Sequence, residues 1–193
     1  MATTANWFRQ NYWIDGLYED DRGYYRFDRP IDAETFSAAI STLGRNKGPA
    51  LLLDLHYGRT LDLKAYPGVV AEAWSSAEYP ERALIPRNIW VHLFRTAGYT
   101  HDGKPAIPPA ETLTLYRGCT SPGRRRMAWT SDFEVARRFA HHQIRGRAHG
   151  HVYAIDAPPD TLLAFIHETG REENEYVIDS RFLKDAAVRL VEK

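Results

Sequence analysis

The 193-residue chain predicts an α+β fold, because helical patterns fill its first half and strand patterns its second. Apolar residues recur at helical spacing over 32–43, 67–76 and 82–95. Short alternating or apolar runs at 113–118, 127–132 and 173–178 are bounded by Gly and polar residues and read as strands. A 44% hydrophobic fraction with five Trp supports a real core, and the length fits a single domain, residues 1–193. Within it, 1–110 reads as a mainly helical N-terminal portion and 111–193 as a strand-rich core.

Residues 5–27 are rich in Trp and Tyr and broken by Gly16 and Gly23. Asp32 can cap the helix over 32–43, with Glu34 in its first turn. The longest apolar run, 49–53, is far too short to span a bilayer. Over 82–95, Ile85, Ile89 and His92 or Leu93 fall on one helical face, and Gly98 ends the pattern. Residues 100–109, rich in Pro and Gly, read as a loop.

Leu113-Thr114-Leu115-Tyr116-Arg117-Gly118 alternates like a half-buried strand. Arg117 stands at the end of that run, and Gly118 lets the backbone turn or come close to a ligand. An Arg fork there suits a phosphate or carboxylate, or else a structural ion pair. Met127-Ala128-Trp129-Thr130-Ser131-Asp132 reads as a short strand running into a helix. Thr130, Ser131 or Asp132 can cap that helix, whose Val135, Ala136, Phe139 and Ala140 share a buried face. The same hydroxyls can instead orient a nearby carboxylate.

The segment Glu172-Glu173-Asn174-Glu175 stands directly before the apolar residues Tyr176-Val177-Ile178. If 173–178 is one strand, Glu173 and Glu175 project from one face. Two carboxylates held side by side repel and raise each other's pKa, which costs stability and points to a ligand between them. A solvated acidic turn is the plain alternative.

Formal net charge is zero, which argues against bulk attraction to nucleic acid or membrane. Its distribution is uneven. Residues 117–147 hold eight Arg against Asp132 and Glu134, a net +6. Residues 156–185 hold eight acids against Arg171, Arg181 and Lys184, a net −5. A basic wall facing an acidic one suits a ligand with an anionic diphosphate and a reaction centre that turns cationic. Two neutralising halves of one sheet would give the same pattern. Arg124-Arg125-Arg126 reads as nucleic-acid contact or as a solvated loop.

The single Cys119 excludes an internal disulfide and reads as a small buried hydrophobe or a nucleophile. His149 and His151 could share a strand face and hold a metal, but the spacing is weak and no cysteine accompanies them, and no metal is expected. No signal peptide is visible at the N-terminus, so a soluble cytoplasmic protein is expected, with delivery into another cell left open.

In order, Tyr116-Arg117-Gly118, Trp129-Thr130-Ser131 and Glu173-Asn174-Glu175 resemble the Arg–Ser–Glu class of mono-ADP-ribosyltransferases, the cholera-toxin-like class. The match looks closest to the bacterial and phage toxin group, whose middle motif reads Trp-Thr-Ser/Thr-Asp before an Ala-x-x-Phe-Ala helix, here Ala136 to Ala140. The Ser-Thr-Ser triplet of the wider class is Trp129-Thr130-Ser131 in this chain. The resemblance covers about residues 85–183.

The resemblance implies helices ahead of a split antiparallel sheet, with NAD as substrate. It gives Arg117, beside Gly118, the nicotinamide-side phosphate and ribose. Ser131 with Thr130 would hold the catalytic glutamate and line the nicotinamide pocket. Glu175 would be catalytic and bind a ribose hydroxyl, while Glu173 would face the acceptor. Trp129, Phe139, Tyr153 and Phe165 are candidates for the nicotinamide slot or for the core. The implied partners are NAD, a macromolecular acceptor (protein, RNA or DNA) and, for the toxin group, an antitoxin or immunity protein, with no membrane. Cleaving the nicotinamide–ribose bond builds positive charge on the ribose, which a fixed carboxylate stabilises. Two alternatives stand beside transfer: an NAD glycohydrolase using the same site, and a non-catalytic module whose Arg-rich stretch binds RNA or an acidic partner.

Overall fold

A computed structural model of the chain describes residues 14–81, 85–141, 149–167 and 173–193. The expected helical start at 82–84, His142, Arg145, Arg147, Arg171 and Glu172 lie outside the described residues. The architecture is α+β. Four helices precede most of an eight-stranded mixed sheet. Among the described residues, no helix is long and apolar enough to cross a membrane.

A small antiparallel hairpin comes first, β1 (Leu17–Glu19) with β2 (Tyr25–Phe27). Helix α1 (Ala33–Leu43) starts where expected: the Asp32 carboxylate accepts the Thr35 N–H at 2.8 Å. Helix α2 (Gly48–Tyr57) was not foreseen. Its run Leu51-Leu52-Leu53 has no one-sided period, and Leu51, Leu52 and Leu55 are all fully buried. Pro49 lies in its first turn, where a missing N–H costs nothing. Helix α3 (Gly68–Ser76) follows the expected 67–76 span.

Helix α4 (Arg87–Ala97) corrects the expected 82–95 helix. It begins after Pro86, because the residue before a proline is held out of the helical region. Its buried face is Trp90, Val91, Leu93 and Phe94, whereas Ile89 is half-buried and His92 exposed. Gly98, at φ 88°, stops it as expected.

The large sheet is built from β3 (Thr100–His101), β4 (Lys104–Pro105), β5 (Leu113–Cys119), β6 (Ala128–Thr130), β7 (His151–Ala157), β8 (Leu162–Ile166), β9 (Glu175–Ile178) and β10 (Arg189–Glu192). Residues 100–109, expected as a loop, contain the β3–β4 hairpin, turned by Asp102 and Gly103 at positive φ. Two further helices are α5 (Phe133–His141) and α6 (Phe182–Asp185). The strand order is β10-β7-β5-β6-β9-β8-β3-β4. All neighbours are antiparallel except β3 and β8, so the sheet is mixed.

Two features of this sheet frame the site. β5 and β7 share seven register pairs, but β5 and β6 meet only at Tyr116 and Thr130. The ladder is nearly open at that seam. On the other side of β6, the register aligns Trp129, Tyr176, Phe165 and His101 in one aromatic row. Strand alternation sends Glu175, next to Tyr176, to the opposite face. α3 and α4 pack against β8, and α5 packs on β5 and β7. Trp74 of α3 meets Trp90 and Phe94 of α4 edge-on, at ring distances of 5.1 and 5.8 Å.

Candidate functional site

Arg117, Thr130 and Glu175 lie on three adjacent strands, β5, β6 and β9. Segments separated by tens of residues in the chain thus converge. Thr130 and Glu175 are direct register partners, so their side chains leave the same face.

Glu175 is half-buried, and its carboxyl group faces Trp74 of α3. Its Oε1 accepts a 2.6 Å hydrogen bond from the indole Nε1–H of Trp74. Loss of water pushes its pKa up to about 7. The Trp74 hydrogen bond and the positive charge of Arg117 oppose that rise, while the negative charges of Glu173 and Glu81 add to it. The result is a carboxyl group poised between its two protonation states at neutral pH.

Glu173 does not share a strand face with Glu175, contrary to the alternation expected over 173–178. β9 begins at Glu175, and Asn174 sits at φ 45°. That left-handed residue breaks the period of two before the strand starts. β6 grips the two residues ahead of Glu175 through the main chain. Thr130 Oγ1 donates to the Glu173 carbonyl at 2.7 Å and accepts the Asp132 N–H at 3.0 Å. The Ser131 N–H donates to the Asn174 carbonyl at 3.3 Å. Thr130 therefore orients the glutamate segment by its backbone. The Ser131 side chain is exposed and forms no hydrogen bond with the described residues. Asp132 caps α5, accepting the Glu134 and Val135 N–H groups at 2.8 and 3.2 Å.

Arg117 lies inside β5, which continues to Cys119, and not at a strand end. Its Nε donates to the Gly123 carbonyl at 3.0 Å, and its Nη1 donates to the Ala128 carbonyl of β6. The guanidinium thus spans the seam where the β5–β6 ladder opens. Gly118 does not turn the chain there. A Cβ on it would lie 1.8 Å from the Ala136 carbonyl oxygen and 2.6 Å from the Ala140 nitrogen, so glycine is what lets α5 lie against β5.

The aromatic candidates separate. Trp129 is 2% exposed, and its indole N–H donates to the Arg126 carbonyl at 2.7 Å, so it is a core residue. Tyr153 is buried and shares a 3.0 Å hydrogen bond with Ser121. Phe139 is 38% exposed, although it was expected on the buried face of α5 with Val135, Ala136 and Ala140, which are buried. Phe165 is half-buried and packs 4.5 Å from the Tyr176 ring.

Two members of the basic run, Arg124 and Arg125, are tied to the chain's own backbone. Arg125 Nη1 donates to the carbonyls of Leu183, of Lys184 at 2.9 Å and of Ala186 at 3.2 Å, closing the end of α6. Arg124 donates to the Ser121 carbonyl at 2.8 Å. His141 meets Glu192 at 2.6 Å and lies 4.8 Å from the His149 ring. Burial pushes the Cys119 thiol pKa up, against the pull of Arg117. No group of three or more His, Cys, Asp or Glu among the described residues is placed to hold a metal.

Two surface concavities, of about 400 and 160 Å³, lie elsewhere. The larger is lined by Asp156, Phe182, Asp185 and Arg189, the smaller by Phe94, Tyr99, Pro108 and Leu162. Neither includes Arg117, Thr130 or Glu175.

Two residues of the site had no sequence signal. Trp74 is 101 positions from Glu175 and reads only as part of an apolar helix face. Glu81, with a side chain 7% exposed, pairs with Arg87 at 3.0 Å and accepts the Met127 N–H at 3.0 Å, fixing the entry to β6. Compared with protein-family models, curated proteins and solved structures, the chain matches none.

Proposed function

We propose that the chain is a mono-ADP-ribosyltransferase that moves ADP-ribose from NAD to a macromolecular acceptor, with Glu175 as the catalytic carboxylate. One observation carries the reading: the desolvated carboxyl of Glu175, held by Trp74 and placed beside Thr130 on the strands next to Arg117. A half-buried carboxyl whose pKa is raised by loss of water is a candidate for charge or proton chemistry. The near-open seam between β5 and β6 supports a split-sheet fold of the transferase type.

In the proposed reaction the bond between the ribose C1′ and the nicotinamide nitrogen breaks, and its electron pair leaves with nicotinamide. The ribose becomes oxocarbenium-like. An ionised Glu175 stabilises that charge through a preorganised, poorly hydrated contact. A nucleophilic atom of the acceptor then bonds to C1′ and gives up its proton to water or to a base, for which Glu173, whose charge acts on Glu175, is the candidate. Arg117 supplies a guanidinium suited to the diphosphate, three of whose five donors are not needed for the Gly123 and Ala128 carbonyls. The involvement of Arg124 and Arg125 with the chain's own carbonyls weighs against a module that binds nucleic acid through the basic run.

Incubating the protein with NAD labelled in the adenosine part, cell lysate and purified RNA tests the proposal. The expected result is label attached to protein or RNA in step with nicotinamide release. Nicotinamide release with no labelled acceptor would make the chain a glycohydrolase, and intact NAD at every pH from about 6 to 9 would refute both.

A further inference from the structure

We propose that Trp74 is a positioning residue that fixes which oxygen of the Glu175 carboxyl group takes part in the reaction. The inference rests on the proposed role of Glu175. An indole N–H is a donor only. Its bond to Oε1 therefore leaves Oε2 as the oxygen that carries the proton in the neutral acid, and that meets the ribose in the ionised form. In the Arg–Ser–Glu resemblance this holding role falls to Ser131, yet here the Ser131 side chain is exposed and makes no such bond. The donor comes instead from α3, in the N-terminal helical portion, so that portion completes the site.

Trp74 is itself held firmly. It is 2% exposed and wedged edge-on against Trp90 and Phe94. Its N–H has little freedom to follow the carboxyl group. Glu175 must come to the indole, and that sets the direction of its free oxygen. The other charged groups acting on Glu175 are Glu173 ahead of β9, Glu81 ahead of α4 and Arg117 on β5. Among these influences Trp74 is a neutral donor that favours the ionised form by direct contact, and so lowers the pH at which the carboxylate becomes available.

The test reads the pair directly. In the wild-type protein the Trp74 indole N–H resonance should titrate with a midpoint near 7, together with the Glu175 side-chain carboxyl carbon. In Glu175→Gln the indole resonance should be flat. In Trp74→Phe, which keeps an aromatic ring but loses the donor, the carboxyl midpoint should rise by about one pH unit. The acid limb of the rate–pH profile should move with it. The loss at pH 7 would be about fivefold, recovered above pH 9, with the KM for NAD little changed. Loss of packing alone would lower the rate equally at all pH values. If Trp74→Phe does not fold, benzothienylalanine at position 74 replaces the N–H with sulfur in a ring of the same shape, and the same midpoint is read. A flat wild-type indole resonance while Glu175 titrates, or an unmoved midpoint in the folded variant, overturns the proposal. The resonance measurements need no turnover, so an inactive protein would refute the transferase reading and leave the Trp74 assignment to be decided by the titration.

Discussion

At the residue scale, Glu175 shows an opposition between stability and chemistry. Its pKa in the folded protein, about 7, lies above the ordinary 4.5. Folding therefore favours the protonated form. The contribution to stability is full below about pH 4.5 and is lost as pH rises through 7, at a cost of about 3 kcal/mol when complete. The proposed reaction needs the ionised form, so its rate should rise over the window in which stability falls. Glu175→Gln keeps an acceptor for Trp74 but cannot ionise. It should raise the melting temperature relative to wild type at pH 8, with the gain fading toward pH 4.5, as thermal unfolding at the two pH values would show. An unchanged difference across pH would mean that Glu175 is well hydrated. Arg117 and Arg125 make a second contrast. Arg117→Ala should weaken NAD binding by about tenfold or more in calorimetry. Arg125→Ala should leave the NAD dissociation constant alone and cost about 1.5–3 kcal/mol of stability, because Arg125 serves the carbonyls of α6. Equal effects on NAD would show that the basic segment acts diffusely.

At the element scale, the strand that carries Arg117 depends on a helix lying against it. Gly118→Ala would drive a methyl group into the α5 backbone, where the Ala136 carbonyl stands 1.8 Å from the Cβ position. We expect destabilisation of at least about 1–3 kcal/mol in denaturant unfolding. A neutral result would mean that α5 moves easily. Glu173 belongs to the loop that Thr130 holds, not to β9. Glu173→Gln is expected to reduce acceptor labelling steeply while slow NAD hydrolysis persists, with both signals read in one reaction. A parallel fall would place Glu173 in the NAD site. The legible parts of the sequence were those with local causes. The Asp32 cap, the 3.6-residue period of α1 and α3 and the alternation of β5 come from neighbouring residues. α2 was hidden because it is apolar on too many sides to show a period. The start of α4 was misplaced because Pro86 overrides the apolar spacing before it. The Asn174 kink escaped because a left-handed residue erases the alternation used to put Glu173 and Glu175 on one face.

At the scale of the whole molecule, the two portions of the chain meet at the candidate site. The strand-rich portion supplies Arg117, Thr130 and Glu175 on neighbouring strands. The helical portion supplies Trp74, and Glu81 lies between helices α3 and α4. No local pattern could reveal that division, because the Trp74–Glu175 bond links positions 101 residues apart and depends on how α3 meets the sheet. A separated core of 111–193 would lose the indole donor and the cover that keeps water from the carboxyl group. The central claim is that this covered carboxylate carries out the bond cleavage. It is tested most directly by the initial rate of nicotinamide release from NAD at pH 8, compared between wild type and folded Glu175→Gln. We expect the variant to be slower by about 10²–10³-fold or more, because Gln cannot offer the charge that meets the ribose cation. Equal rates in two folded proteins would contradict the assignment.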